Sequence, residues 1–225
     1  MRELGIDISD RRLQRLTREW LPIRGRRVVE WRRAEFILTL LGFLGFLTVP
    51  IRIKTIYGGL PAHPLFIHVP VVLIPVSVLG VVGCVARPAW LERYGIALSL
   101  TAIVAMSSTF LAMQAGAALR GALNLHGPAA SLIQRHSHAA HILAVVFVLF
   151  TAVLIVTFAA QRISGGMPTG LVIADRLLSP RSSVVALRIL LVVLALVSAY
   201  MVFEVGDLGA KVVWAGRLQH AGPAG

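Results

Sequence analysis

Four long apolar stretches constrain the fold of this chain more than any other feature. They occupy 65–86, 95–118, 139–160 and 184–203, and contain 22, 24, 22 and 20 residues. A helix needs about 20 residues to cross the hydrocarbon core of a bilayer. Because backbone polar groups inside lipid must be hydrogen-bonded within the protein, the stretches predict membrane-spanning helices.

A shorter apolar segment precedes these four, at 36–51. Its 16 residues cross with tilt or local thinning of the bilayer, or they form an anchor that stops short. We therefore predict an all-α, polytopic membrane helix bundle with a four-helix core and one N-terminal apolar helix. The predicted parts are a basic cytoplasmic extension with an amphipathic helix (1–35), the N-terminal membrane helix and linker (36–57), the core (58–216) and a flexible tail (217–225).

Composition agrees with this class. Apolar residues form 57% of the chain, against about 45–50% in soluble domains. The single cysteine, Cys84, excludes internal disulfides, thiolate-held iron–sulfur clusters and c-type haem attachment through paired cysteines. The net charge is +12, but ten of the 22 basic residues lie in the first 33 positions, directly before an apolar segment. They indicate control of topology rather than nucleic-acid binding.

Lysine and arginine collect on one side of the predicted membrane. With an inside N-terminus and five crossings, the inner side holds sixteen of them and the outer side six. This bias predicts a cytoplasmic N-terminus and an outer C-terminus. If 36–51 does not cross, the side that carries the histidines would face the cytoplasm, and the histidines would still share one side. Residues 1–35 favour an interfacial helix on anionic lipid, with docking of an acidic partner as the alternative.

The histidines share one predicted side, at or just inside the ends of apolar helices. A neutral imidazole can ligate a metal or haem iron, or relay protons. It can also bond a carbonyl or a lipid headgroup at the interface, and we favour that interpretation for His126, His136 and His220 taken singly. The complete set is His63, His68, His126, His136, His138, His141 and His220.

The second apolar segment opens with the most specific local pattern. Proline suits the first helical position, so Pro64 is expected to start the helix, with His63 before it and His68 one turn inside. Pro70 and Pro75 remove backbone hydrogen bonds and should kink this helix.

The fourth apolar segment brings further imidazoles to the same level. His138 and His141 share a helix face, and His141 is about as deep as His68. Two histidines at matched depth on neighbouring helices can ligate a b-type haem from both sides. We expect His68 with His141 as the axial pair, and His138 with His63 as the substitute.

Charged residues near this level have possible supporting roles. Candidates for contact with haem propionates are Arg52, Lys54, Arg120 and Arg135. Glu204 and Asp207 can orient a ligating imidazole, pair with a neighbouring cation, or contribute to a cation site. The sequence has no phosphate-binding glycine loop, no paired metalloprotease histidines and no nucleophile elbow, so it does not favour a hydrolase.

The run HPLFIHVP at 63–70 resembles the opening signature of a bacterial membrane family known as domain of unknown function 2231. That signature has His-Pro, three residues, His, an apolar or aromatic residue and Pro. The resemblance covers roughly 58–216, and includes a small-residue third helix, a histidine opening the next helix (His138 or His141) and a glycine-bearing segment at 206–214. Val69 and Trp214 stand where the family usually has phenylalanine and tyrosine, and the closing glycine is shifted to Gly216.

The resemblance implies a four-helix core associated with membrane redox proteins. Our leading hypothesis is a bacterial inner-membrane electron-transfer subunit that binds haem b and exchanges electrons with quinone or with other subunits of a redox complex. It would be a redox subunit rather than an independent enzyme. The alternatives are a cofactor-free anchor or assembly subunit of a larger membrane complex, and a transition-metal binding protein.

Overall fold

The computed structural model describes residues 42, 56–57, 60–123, 127–166 and 172–218. A short antiparallel ladder joins β1 (Ile56–Tyr57) to β2 (Leu60–Pro61), with Tyr57 opposite Leu60. Helices account for nearly all of the rest of the described chain. In order they are α1 (Ala62–Ala86), α2 (Pro88–Ala122), α3 (Pro128–Ser164), α4 (Val172–Leu178) and α5 (Arg181–Leu218).

Four of these helices, α1, α2, α3 and α5, are long and apolar enough to cross a membrane. Each contains one of the four predicted stretches, so the predicted all-helical membrane bundle is confirmed. The extension 1–35, the tail from 219 and, apart from Gly42, the segment 36–51 lie outside the described residues.

The helices are longer than the apolar stretches that predicted them. α3 and α5 have 37 and 38 residues, which corresponds to about 55 Å at 1.5 Å per residue. The hydrocarbon core is only about 30 Å thick. The apolar pattern therefore predicted which segments cross the membrane but not where the helices end. The polar ends of α3 and α5 extend the bundle on the side where the histidines lie.

The four long helices form two hairpins. α1 packs most extensively on α2, and α3 on α5. Smaller contacts of α2 with α3 and of α1 with α5 close the bundle, which places α1 and α3 at opposite corners. Along α3, the residues Ala139, Leu143, Phe147, Phe150 and Leu154 recur at helical spacing and are buried.

Among the described residues, Ser198 is a buried hydroxyl without a hydrogen-bond partner, but other buried hydroxyl groups bond within their own helices. Ser99 and Thr151 each donate to the carbonyl four residues earlier, at 2.7 and 2.8 Å. Apolar side chains such as Leu79 and Phe203 are exposed by 70% and 73%. An apolar exterior with internally bonded polar groups is what a lipid environment requires.

Gln161 ties α2, α3 and α5 together at the end opposite to the histidines. Its side chain is 5% exposed. Its Nε2 donates to the carbonyl of Pro88 at 2.6 Å, and its Oε1 accepts a hydrogen bond from Arg188 at 2.9 Å. One amide thus satisfies a guanidinium and a carbonyl on two neighbouring helices.

The start of α1 differs from the sequence-based expectation. The helix begins at Ala62, so His63 is its second residue and Pro64 its third. The first four amides of a helix have no partner within it, so proline is tolerated there as well as at the first position. α1 continues through Pro70 and Pro75 without ending.

Candidate functional site

Two imidazoles from opposite corners of the bundle face each other. His63 lies at the start of α1, and His136 lies in the third turn of α3. Their ring centroids are 6.2 Å apart and their planes make an angle of 83°. Because α1 and α3 belong to different hairpins, this pair lies at the boundary between the two halves of the bundle.

Each ring is hydrogen-bonded to a backbone carbonyl of the other helix in its own hairpin. Nδ1 of His63 is 2.8 Å from the carbonyl oxygen of Ala112, and Nδ1 of His136 is 3.1 Å from that of Val205. A carbonyl oxygen can only accept, so Nδ1 carries the proton in both rings. In the neutral ring the lone pair is then on Nε2, which is the form in which metal-ligating histidines are commonly held.

A glycine accompanies each of these carbonyls. Gly116 is four residues after Ala112, and Gly209 is four residues after Val205. In an α-helix the amide at i+4 bonds the carbonyl at i, so the side chain at i+4 starts close to that oxygen. A Cβ on Gly116 would lie 3.0 Å from Nδ1 of His63.

The same contact recurs in the second hairpin. A Cβ on Gly209 would lie 3.3 Å from Cε1 of His136. Both hairpins therefore use one arrangement: a histidine near the start of the first helix, and a carbonyl with a glycine one turn further along the second. The glycines leave the space that the imidazoles occupy.

Among the described residues, the ring contact between histidines joins His63 to His136 and not the pairs His68–His141 or His63–His138. His68, His138 and His141 are all exposed, and Nδ1 of His141 bonds the carbonyl of Ser137 at 2.7 Å within α3. His63 meets His136 rather than His138. His136 is thus the residue that sequence reasoning missed, because it was interpreted as an interface histidine.

Several other predicted residues line an open groove between α3 and α5. The groove has a volume of about 730 Å³, and we call it the α3–α5 groove. It spans the point where α3 changes from polar to apolar residues, and its lining includes Arg120 from α2. The residues that matter for its chemistry are Arg120, Arg135, His138, His141, Tyr200 and Glu204.

Asp207 is not among the residues that line the groove. Asp207 forms an ion pair with Lys211 one turn along α5, and both side chains are more than a third exposed. Arg52, Lys54, His126 and His220 lie outside the described residues. Within the described ranges, no group of three or more histidine, cysteine or acidic side chains is placed to hold a metal ion.

A comparison with protein families agrees with the resemblance noted in the sequence. The family model described as "Predicted membrane protein (DUF2231)" matches residues 59–222. The chain belongs to this family. The match includes α1 to α5, both facing imidazoles and both accompanying glycines. No curated protein and no solved structure matches the chain.

Proposed function

We propose that this DUF2231 core is an electron-transfer subunit of a membrane redox system, in which His63 and His136 would hold haem b. The supporting observation is the pair of facing imidazoles with their Nδ1 atoms committed to backbone carbonyls. The proposal keeps the cofactor expected from the sequence. It names His63 and His136, instead of His68 and His141, as the residues that would hold the haem.

The two imidazoles are close enough to share one bound group. Their ring centroids are 6.2 Å apart, and a metal–nitrogen bond is about 2 Å long. His63 and His136 together would therefore hold the haem.

The surroundings of the pair also suit a cofactor between the hairpins. Three small residues near the pair are buried: Ala62 precedes His63, Ala115 precedes Gly116, and Ala139 lies three residues after His136. Small residues let helices approach a flat group or one another closely. The carbonyls of Ala112 and Val205 would keep the ligand rings in one tautomer and orientation.

The haem would supply one-electron chemistry, and the protein would supply ligands, burial and position. The pair lies at the end of the bundle, where a redox partner could approach. In the described chain, Arg87, Arg93, Arg162 and Arg188 lie toward the opposite end, which favours the histidine side as the outer side of a bacterial inner membrane. This orientation is part of the proposal.

An absorption spectrum of the purified full-length chain tests the proposal. The protein is expressed with added haem precursor, and oxidised and dithionite-reduced spectra are recorded together with the haem content. We expect a reduced b-type band in the wild type, and its loss in His63→Ala and in His136→Ala. His68→Ala and His141→Ala are the matched controls and should retain the band.

Three outcomes would overturn the assignment. The first is a haem-free wild-type protein, and the second is loss of the band in the control variants but not in His63→Ala or His136→Ala. The third is a colourless protein whose stoichiometric copper or zinc is lost in both test variants, which would make the pair a metal-ion site. Circular dichroism and size-exclusion chromatography confirm that each variant is folded.

A further inference from the structure

We propose that the α3–α5 groove binds the headgroup of a membrane quinone or quinol. The role of this site in electron transfer rests on the proposed function, because it names the lipid-soluble partner of the haem. Binding itself does not depend on the haem and can be measured without it.

The groove lies at the level where a membrane amphiphile changes from polar to apolar. Along α3 its lining passes from Arg135 and His138 to Ala139 and Ile142, which belong to the apolar stretch. On α5, Tyr200 lines the groove and is 63% exposed. A ligand with a polar head and an apolar tail fits this change from polar to apolar lining.

The polar lining offers both donors and acceptors. Arg120 and Arg135 only donate hydrogen bonds, whereas the carboxylate of Glu204 only accepts them. Because Nδ1 of His141 is committed to Ser137, the neutral ring presents an accepting Nε2 to other partners. The groove therefore suits a ligand that accepts from arginine and donates to an imidazole and a carboxylate.

A quinol matches this set, because its hydroxyls can donate to an imidazole or a carboxylate and accept from an arginine, and the quinone keeps the contacts with the arginines. A phosphate headgroup only accepts, so Glu204 and Nε2 of His141 would oppose it. The volume of about 730 Å³ is within the range of about 300–1,000 Å³ common for small-molecule sites.

The groove and the imidazole pair share the same level of the bundle. His136 lies between Arg135 and Ser137, which line the groove, and its carbonyl partner Val205 follows Glu204 directly. The α3–α5 seam therefore carries the groove on one side and a proposed haem ligand on the other. This proximity makes the groove the place where a lipid-soluble electron carrier would meet the centre.

Quinone binding is tested by titrating the full-length chain, in detergent micelles, with a short-chain ubiquinone or menaquinone analogue. Quenching of tryptophan fluorescence reports binding, with Trp214 on the same end of α5 as one reporter. We expect saturable quenching that is about tenfold weaker in His141→Phe and in Glu204→Leu, because each loses one polar contact with the headgroup. His68→Phe, a change at an exposed histidine on the same end outside the groove, should bind as the wild type does.

The proposal is overturned by quenching that does not saturate, or by equal affinities in the wild type, His141→Phe and Glu204→Leu. It is also overturned if phosphatidylglycerol displaces the quinone and only Arg120→Gln and Arg135→Gln weaken binding, which would indicate an anionic headgroup site. The titration is repeated on His63→Ala, which lacks a proposed haem ligand. Saturable binding there would support the groove whatever the spectrum shows about haem.

Discussion

Replacing Gly116 with alanine perturbs the imidazole pair through one added methyl group. The new Cβ would lie 3.0 Å from both Nδ1 and Cε1 of His63, whereas carbon atoms in good contact are about 3.5–4.0 Å apart. The ring must move by a few tenths of an ångström. That movement lengthens or breaks the 2.8 Å bond from Nδ1 to the carbonyl of Ala112.

Two opposing effects determine the stability of this variant. Alanine favours the helix over glycine by about 0.5–1 kcal/mol, while loss of the hydrogen bond costs about 0.5–1.5 kcal/mol. Gly121 provides a matched control, because it lies in the same helix and a Cβ there meets nothing within 4 Å. We therefore expect Gly116→Ala to be about 1 kcal/mol less stable than Gly121→Ala.

The free energy of unfolding is measured by titrating mixed micelles with dodecyl sulfate and following helicity by circular dichroism. Both substitutions are then repeated in a His63→Ala background, where the difference between them should disappear because the contact no longer exists. The reasoning is refuted if the two variants differ by less than about 0.3 kcal/mol. A difference that survives in the His63→Ala background would also refute it.

Two further predictions concern the packing of the core and the opposite end of the bundle. Gly95→Ala places a Cβ in steric overlap with Cδ2 of Phe158, and Phe158 is only 2% exposed. The substitution should therefore destabilise the bundle by about 1–3 kcal/mol, and adding Phe158→Leu should recover part of that loss. An unchanged unfolding midpoint would contradict the prediction. Gln161→Leu leaves Arg188 and the carbonyl of Pro88 without their amide partner, so it should lower the free energy of unfolding by about 1–3 kcal/mol. Equal thermal stability of variant and wild type would show that Gln161 does not hold these helices together.

The sequence predicted the membrane helices because hydropathy responds to the bilayer. It could not predict where the helices end, since nothing in the apolar pattern distinguishes a helix that stops at the membrane surface from one that continues into water. Local signals do mark the start of α3: Gly127 has a φ of 69°, and Pro128 follows at the first helical position. These signals lie before the apolar stretch and were not used to place the helix.

The depth of the histidines was predictable, but the face on which each lies was not. In a soluble helix an apolar stripe shows which side is buried. A membrane helix is apolar all round, so exposed His68 and half-buried His63 lie on an equally apolar surface. His136 lies three residues before Ala139 and seven before Leu143, on a face that the burial of these two residues identifies only in the structure.

The partners of the two rings are backbone carbonyls, which leave no side-chain motif in a sequence. Their trace is the glycine one turn later, at Gly116 and Gly209. A fixed spacing cannot find it, since His63 precedes Gly116 by 53 residues and His136 precedes Gly209 by 73, with α4 and its flanking segments adding to the second interval. The recurrent feature is therefore a relation between two helices of a hairpin. A histidine lies near the start of one helix, a glycine lies toward the end of the next, and the imidazole contacts backbone that no side chain covers.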